Sequence, residues 1–246
     1  MNQTGNTVLV TGGASGIGLA LAEQFARFGN KVIVVGRSEQ KLAEAKARNS
    51  DFTTIRCDLG KEEELNTLVR QLNDEHSELN VLINNAGIQY NYSFLEKEST
   101  QIPDKVADEI SINMVVPIQL TAKLLPLLLR QNHAAIVNVS SGLGLVPKQS
   151  APVYCATKAG IHLFTKALRY QLESTCIKVF EILPPIVDTE MTKGRGRGKI
   201  TAEALAEEFW KSYRLDHLEV AIGKVKFLKL LNRVSPNWAE ALLKNN

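Results

Sequence analysis

Cysteine is scarce in this 246-residue chain: Cys57, Cys155 and Cys176 are odd in number and have no close-paired or histidine-flanked spacing. Neither a disulfide framework nor a zinc site follows from that pattern, so no metal is expected and a reducing compartment suits it. A dominant charge is missing too. Twenty-nine Lys and Arg stand against 26 Asp and Glu, and a net of +3 is too slight to point to nucleic acid. The first strongly apolar segment, 7–10, is cut short by Thr11-Gly12-Gly13, and no stretch reads as the roughly 20 apolar residues that cross a bilayer. A cytoplasmic protein with no membrane partner is the expectation. No repeat of roughly 20 to 50 residues and no Pro/Ser-rich linker divides the chain, which leaves one domain, residues 1–246.

What is present is an ordinary globular composition, 44% hydrophobic and 22% charged. Short, mostly apolar runs at 8–10, 32–35, 53–56, 81–83, 136–139 and 178–182 alternate with longer charged stretches of helical character. Runs of about 4 to 6 such residues suit strands buried on both faces by crossover helices. With a seventh strand near 218–222, the fold class is α/β: a single doubly wound Rossmann domain whose seven-stranded parallel sheet carries helices on both faces.

Two stretches depart from this rhythm. Residues 191–199 read MTKGRGRGK, a composition that cannot pack and is expected to be a mobile loop, inside a substrate-loop segment spanning 188–216. Residues 201–213 read as a helix with Thr201 as N-cap. The chain closes with two short helical pieces, 225–231 and 236–243, whose apolar faces need cover.

Directly after the first strand comes Thr11-Gly12-Gly13-Ala14-Ser15-Gly16-Ile17-Gly18, and 19–28 reads as an amphipathic helix. Strand, glycine turn and helix N-terminus together present unpaired N–H groups and a positive dipole end to an anion, so a pyrophosphate fits there. Gly12, Ser15, Gly16, Ile17 and Gly18 are the candidate contacts. The spacing is G-x-x-x-G-x-G rather than G-x-G-x-x-G, so the dinucleotide motif is met in mechanism and not in letter. At the end of the second strand, Gly36 stands where a carboxylate would accept from a ribose 2′-hydroxyl, and Arg37 supplies a guanidinium suited to a 2′-phosphate. NADP(H) is therefore expected. NAD(H) stays open, because Glu39 is a rival hydroxyl acceptor and Arg37 also reads as a surface residue at a strand end.

In Tyr154-Cys155-Ala156-Thr157-Lys158 the phenol and the amine are four apart, which on a helix puts both on one face. A free tyrosine has a pKa of about 10, and a nearby ammonium is expected to lower it toward neutral pH. Alone, Y-x-x-x-K is a weak signal that chance also places on solvated helix faces. Ser140-Ser141, however, sits at the carboxyl end of the fifth strand, the edge where open parallel sheets bind ligands. A helix over 104–129 contains Pro117, which has no N–H for the carbonyl of Asn113. That carbonyl is open to an ordered water that relays protons toward Lys158, or the proline simply shapes packing; both readings stand.

These residues carry a resemblance to the short-chain dehydrogenase/reductases, in the compact branch with the T-G-x-x-x-G-x-G turn. The matches run in order: 11–18, Asp58, Asn84-Asn85-Ala86-Gly87, Asn113, Ser141, Tyr154, Lys158 and 184–189. The resemblance implies a catalytic tetrad of Asn113, Ser141, Tyr154 and Lys158, with Ser141 preferred to Ser140 by its distance from the tyrosine. It also implies that Asp58 contacts the adenine, that Asn85, Ala86 and Gly87 line the cofactor groove, and that Pro184, Ile186, Val187 and Thr189 lie on the nicotinamide side. One departure is visible: the family commonly has Pro-Gly where this chain has Pro184-Pro185, which removes a donor and stiffens the backbone there. A narrower likeness, in 151–159, 184–189 and 230–236, is to a bacterial branch of the family.

The function implied is hydride exchange between a nicotinamide and a small-molecule carbonyl or secondary alcohol, with Tyr154 as acid/base; the alternative is a non-catalytic NAD(P)-sensing regulator. A dehydratase or epimerase is disfavoured by the absence of an extended substrate domain. Lys193, Arg195, Arg197 and Lys199 read either as a solvated run or as an attractor for an anionic substrate. His76, His133, His162 and His217 read as surface or packed residues, Cys155 as packing, and Phe209, Trp210 and Trp238 as core or lid anchors. Apolar faces on the tail helices and the long crossover helices suit a homo-oligomer, a dimer or tetramer.

Overall fold

The computed structural model describes residues 1–95 and 100–245. Its strands are β1 (Thr7–Thr11), β2 (Lys31–Gly36), β3 (Thr53–Arg56), β4 (Leu79–Asn84), β5 (Ala134–Val139), β6 (Ile177–Leu183) and β7 (Glu219–Ala221). All pair in parallel in the order β3-β2-β1-β4-β5-β6-β7. Every residue of β1, β4 and β5 is buried, which is why their sequences are mostly apolar instead of alternating, with the buried Asn84 and Asn138 hydrogen-bonded to each other. Alternation survives in the destination: Val8 and Val10 point into one core and Leu9 into the other.

The first core lies under α1 (Gly16–Arg27), α2 (Glu39–Arg48) and α7 (Ala202–Arg214). The second lies under α3 (Glu62–Glu75), α5 (Val116–Leu129) and α6 (Pro152–Gln171). Aromatics lock the first: the Phe25 ring meets Trp210 at 5.0 Å and Tyr213 at 5.2 Å, both edge-on, and Phe28 stacks on Trp210 at 4.5 Å. Phe209 and Trp210 are thus core anchors. Trp238 is not, being 74% exposed. It lies on α9 (Pro236–Leu243), where Ala239 is the buried residue, packing with Leu228 of α8 (Val225–Val234) and Val146; one helical step turns Trp238 outward.

The expected helix over 104–129 is in fact α4 (Ile102–Ile110), a π-turn (Ser111–Val115) and α5. The Val116 N–H donates to the Ser111 carbonyl, five residues back. A proline at 117 has no N–H to continue the ladder to Asn113, and the wider turn absorbs the break. The run 102–129 is long and apolar enough by length and composition to cross a membrane, contrary to the sequence expectation. Much of that apolarity packs on the sheet, since Val116, Leu120, Leu124, Leu127 and Leu128 are buried in the second core.

The basic loop is also more ordered than its composition suggests. Residues Glu190–Thr192 form a 3-10 turn, and Lys199 Nζ donates to the Thr192 carbonyl at 2.8 Å and to Asp188 Oδ1 at 3.2 Å. Gly194, Gly196 and Gly198 all take positive φ, 74°, 65° and 64°, which lets so short a segment fold back on itself. Thr201 caps α7 as expected, accepting from the Ala204 N–H at 3.1 Å.

Phe25 has no exposed surface and joins α1 to α7. Phe25→Ala should lower stability by about 3–5 kcal/mol, against a change within about 0.5 kcal/mol for exposed Phe227→Ala. Urea unfolding of the two variants measures the contrast.

Candidate active site

Strand order reverses between β1 and β4, and the candidate residues collect at the carboxyl edge there. Ser15 is the N-cap of α1, with extended backbone and no side-chain cap hydrogen bond, so the first N–H groups of the helix are left for an anion. The glycines are required by contact as well as by conformation. A Cβ on Gly18 would stand 2.3 Å from the Gly12 carbonyl and 2.4 Å from Asn85 Nδ2; Gly12 and Gly16 have φ of +63° and +54°. Ile17 is partly buried against the first core. Asn85 ties the turn together, its Nδ2 donating to the Thr11 and Gly12 carbonyls at 3.0 and 3.3 Å. Thr11 Oγ1 accepts from the N–H groups of Asn85 and Ala86 at 3.0 and 3.1 Å. Open helix donors beside a turn with no room for side chains fit a pyrophosphate.

At the end of β2, Arg37 is exposed beyond Gly36. Sequence reasoning missed its neighbour. Gly36 pairs in register with Arg56 at the end of β3, so a second guanidinium lies at this end of the sheet. Arg56 stands 3.7 Å from Glu39 and 3.5 Å from Glu64, so the rival acceptor Glu39 is already matched by a cation. Asp58 sits in the following turn, its Oδ1 accepting from the Gly60 N–H at 3.1 Å.

The four proposed catalytic side chains converge. Ser141 follows β5; its hydroxyl accepts from the Leu143 N–H at 3.1 Å and acts on the Tyr154 phenol, favouring its ionised form. Tyr154 and Lys158 share one face of α6, with Lys158 Nζ 5.7 Å from the Tyr154 ring centre. Lys158 is 5% exposed and donates to the Val139 carbonyl at 2.8 Å. Asn113, in the π-turn, is clamped by its side chain: Oδ1 accepts from the Ile88 N–H and Nδ2 donates to the Ile88 carbonyl, both at 2.8 Å, with Thr157 Oγ1 at 3.3 Å. Gly87 lets the groups meet, since a Cβ there would be 3.2 Å from Asn113 Oδ1 and 3.7 Å from Lys158 Nζ.

The electrostatics differ from the simple expectation. Burial pushes the Tyr154 phenol up to about 12, opposed by the Ser141 hydrogen bond. Burial also brings Lys158 down to about 8, opposed by the charge of Glu181. The expected lowering of Tyr154 by Lys158 is therefore not the dominant effect. The ammonium lies over the ring and points a donor at Val139, so the phenol loses water without gaining a cation at its oxygen.

On the nicotinamide side, the Pro184 carbonyl accepts from the Gly142 N–H at 3.0 Å, joining β6 to the Ser141 turn. Val187 bridges to Ile200, and the Ile186 carbonyl accepts from the Ile200 N–H at 3.3 Å. Thr189 lies against the glycine turn, its Cγ2 3.1 Å from the Cβ position of Gly16, and Glu190 pairs with Lys41 of α2. One further residue was not legible beforehand. Glu109, fully buried one turn before the π-turn, accepts from the Tyr90 N–H at 2.8 Å and the Tyr92 hydroxyl at 3.1 Å, and burial raises its carboxyl above the usual range.

An open parallel sheet with a glycine turn at its switch point and a serine, tyrosine and lysine brought together beside it defines a dinucleotide-fold oxidoreductase. The profile of the short chain dehydrogenase family matches residues 6–200, and the chain belongs to that family. It is 43% identical over 220 residues to the uncharacterized oxidoreductase DltE of Bacillus subtilis, covering 89% of this chain and 86% of that protein. It is 29% identical over 241 residues to the very-long-chain 3-oxoacyl-CoA reductase of Rattus norvegicus, covering 95% and 77%. Among solved structures, a short chain dehydrogenase from Burkholderia cenocepacia in complex with NADP superposes with a TM-score of 0.87 at 23% identity, covering all of both chains. One from Burkholderia phymatum in complex with NAD gives 0.84 at 21%, covering 100% and 98%. At such identities these two establish the fold alone.

Because the folded pKa of Lys158 lies below its ordinary 10.5, the unfolded chain binds more protons between about pH 8 and pH 10.5. The destabilisation from burying the ammonium is complete below about pH 8 and fades as pH rises through that window. The full linkage is of the order of 3 kcal/mol, offset by about 1–3 kcal/mol for the hydrogen bond to Val139. Lys158→Met should therefore compare most favourably with the parent at pH 7 and lose that advantage toward pH 10. Urea unfolding across pH measures this; a gap independent of pH would contradict it.

Proposed function

We propose that the protein is an NADP(H)-dependent oxidoreductase interconverting a small carbonyl compound and a secondary alcohol, with Tyr154 as the acid/base. The observation that carries this reading is the buried Lys158 ammonium over the Tyr154 ring, with Ser141 at the end of β5 acting on the same phenol. When bound, the nicotinamide supplies or accepts the hydride. The open N-terminus of α1 would hold the pyrophosphate, Arg37 the 2′-phosphate, Asp58 the adenine, and Lys158 the nicotinamide ribose.

The chain's own residues handle the oxygen and its proton. Ser141 holds the substrate oxygen, and Tyr154, kept protonated by burial up to about 12, donates to that oxygen during reduction. Lys158, brought near 8, exchanges protons close to physiological pH and stabilises the phenolate left behind. Asn113 keeps the Ile88 backbone and the π-turn in register, and its carbonyl, with no N–H at Pro117 to pair with, accepts from a water that passes protons to Lys158. A non-catalytic sensor would gain nothing from burying this ammonium.

The preference for NADP(H) is supported by the two guanidiniums at the β2–β3 end and by the pairing of Glu39 with Arg56. A carbonyl substrate is supported by relatives named as 3-oxoacyl reductases, among them those of Rattus norvegicus and Rickettsia prowazekii. Exposed Leu163 and Tyr170 on α6, with Val115 of the π-turn and Leu129 of α5, support a homo-oligomer.

Tyr154→Phe should abolish turnover, by on the order of a hundredfold or more, and leave NADPH affinity nearly unchanged by fluorescence titration; unaltered turnover would reject the acid/base role. Arg37→Ala should weaken NADPH on the order of tenfold or more while barely touching NADH. Equal losses for both would refute the 2′-phosphate contact.

A further inference from the structure

Behind Lys158 lies a second polar cluster, sealed from solvent. Glu181, in the interior of β6, has no exposed surface, although its strand neighbours Phe180 and Ile182 are apolar core residues. Its Oε1 accepts from Ser140 Oγ at 2.5 Å, and both carboxylate oxygens lie 2.9 Å from Nδ1 of His162, which is buried on α6. A carboxylate inside a parallel sheet is expensive to bury and needs partners of this kind.

The connections of these partners are what give the cluster a function. Ser140 stands between Val139, whose carbonyl receives Lys158 Nζ, and Ser141, whose hydroxyl acts on the Tyr154 phenol. His162 is one helical turn beyond Lys158 on the same face of α6. Two members of the cluster, Ser140 and His162, are therefore attached, through β5 and α6, to the side chains that act on the substrate oxygen, and both hold Glu181. The surrounding charges leave Glu181 assigned to this side. On β7, Glu219 is its register partner but is itself paired with Lys229 of α8 and influenced by Lys166 of α6. From α6 the groups facing Glu181 are Lys158 and His162, with Tyr154 beyond them.

We propose that Glu181 is a positioning residue for the reaction: the buried counter-charge that, with its oxygens fixed by Ser140 and His162, keeps Lys158 an ammonium next to Tyr154. This rests on the role given to Lys158 above. It is consistent with Glu181 being the charge that opposes the burial-driven fall of Lys158. Neutralising Glu181 would leave burial unopposed, so the ammonium would lose its proton at lower pH. The cluster is a property of this chain's own β6, where a small or apolar residue would satisfy the sheet.

The test is an NMR titration of the Lys158 side chain in protein carrying carbon-13 at lysine Cε, with the signal identified by its loss in Lys158→Arg. The midpoint near 8 should fall in Glu181→Gln by on the order of half a unit to one unit, and return toward the parent in Glu181→Asp. A folded Glu181→Gln with an unchanged midpoint overturns the proposal. If that variant does not fold, His162→Gln decides: removing the competing partner leaves the carboxylate to Lys158, so a midpoint equal to or above the parent's supports the proposal and a lower one overturns it. Turnover against pH is read in parallel. Its alkaline limb should move down with the NMR midpoint; an NMR shift without a kinetic one upholds the counter-charge and overturns instead the role assigned to Lys158.

Discussion

Because helices cover both faces of the sheet, the carboxyl edge where β1 and β4 diverge is where polar groups can gather within reach of a ligand. Everything else in the site follows from that burial. Continuous apolar strands leave the backbone ends and the first residues of the following loops as the carriers of chemistry. Thr11 and Asn85 hold two such loops together, and the Gly142 N–H and the Pro184 carbonyl hold two more. The catalytic side chains stand on rigid elements or directly at their ends, which fixes their distances.

The same burial sets the electrostatics. It raises the proton affinity of Tyr154 and lowers that of Lys158, so two groups with nearly equal ordinary pKa values are driven apart in opposite directions. A phenol to about 12 and an ammonium to about 8 are still in the resting order, with the acid protonated and the amine charged at neutral pH. Whatever ionises the phenol during reaction must supply positive charge close to its oxygen, and the lysine over the ring is the cation nearest at hand. Holding that cation in a buried site is costly, and the proposed counter-charge is the carboxylate inside β6.

Much of the architecture was legible because parallel strands under two helix layers have a simple signature: short β-branched runs separated by helical lengths. All seven strands lie where those runs predict them. The phosphate turn was equally legible, since glycines between a strand and a helix have few other uses. Other features were hidden by long-range contact. Arg56 lies far from Arg37 along the chain and reaches the same end of the sheet through strand register. Glu109 looks like any helical acid until Tyr90 and Tyr92 close over it. His162 reads as a packed residue, and it is one; its partner is a carboxylate from another strand. Glu181 did leave a trace, as a lone acid among the apolar residues 179–183 of β6.

The amino-acid order alone determined the fold class, the anion-binding turn and the Tyr154–Lys158 spacing, because each is a local pattern with a local physical cause. Tertiary structure decided the sign of the pKa shifts, the π-turn that presents Asn113, the order in the basic loop and the company of Glu181. Those depend on desolvation and on partners brought in from other elements, and neither is written in the spacing of neighbouring residues.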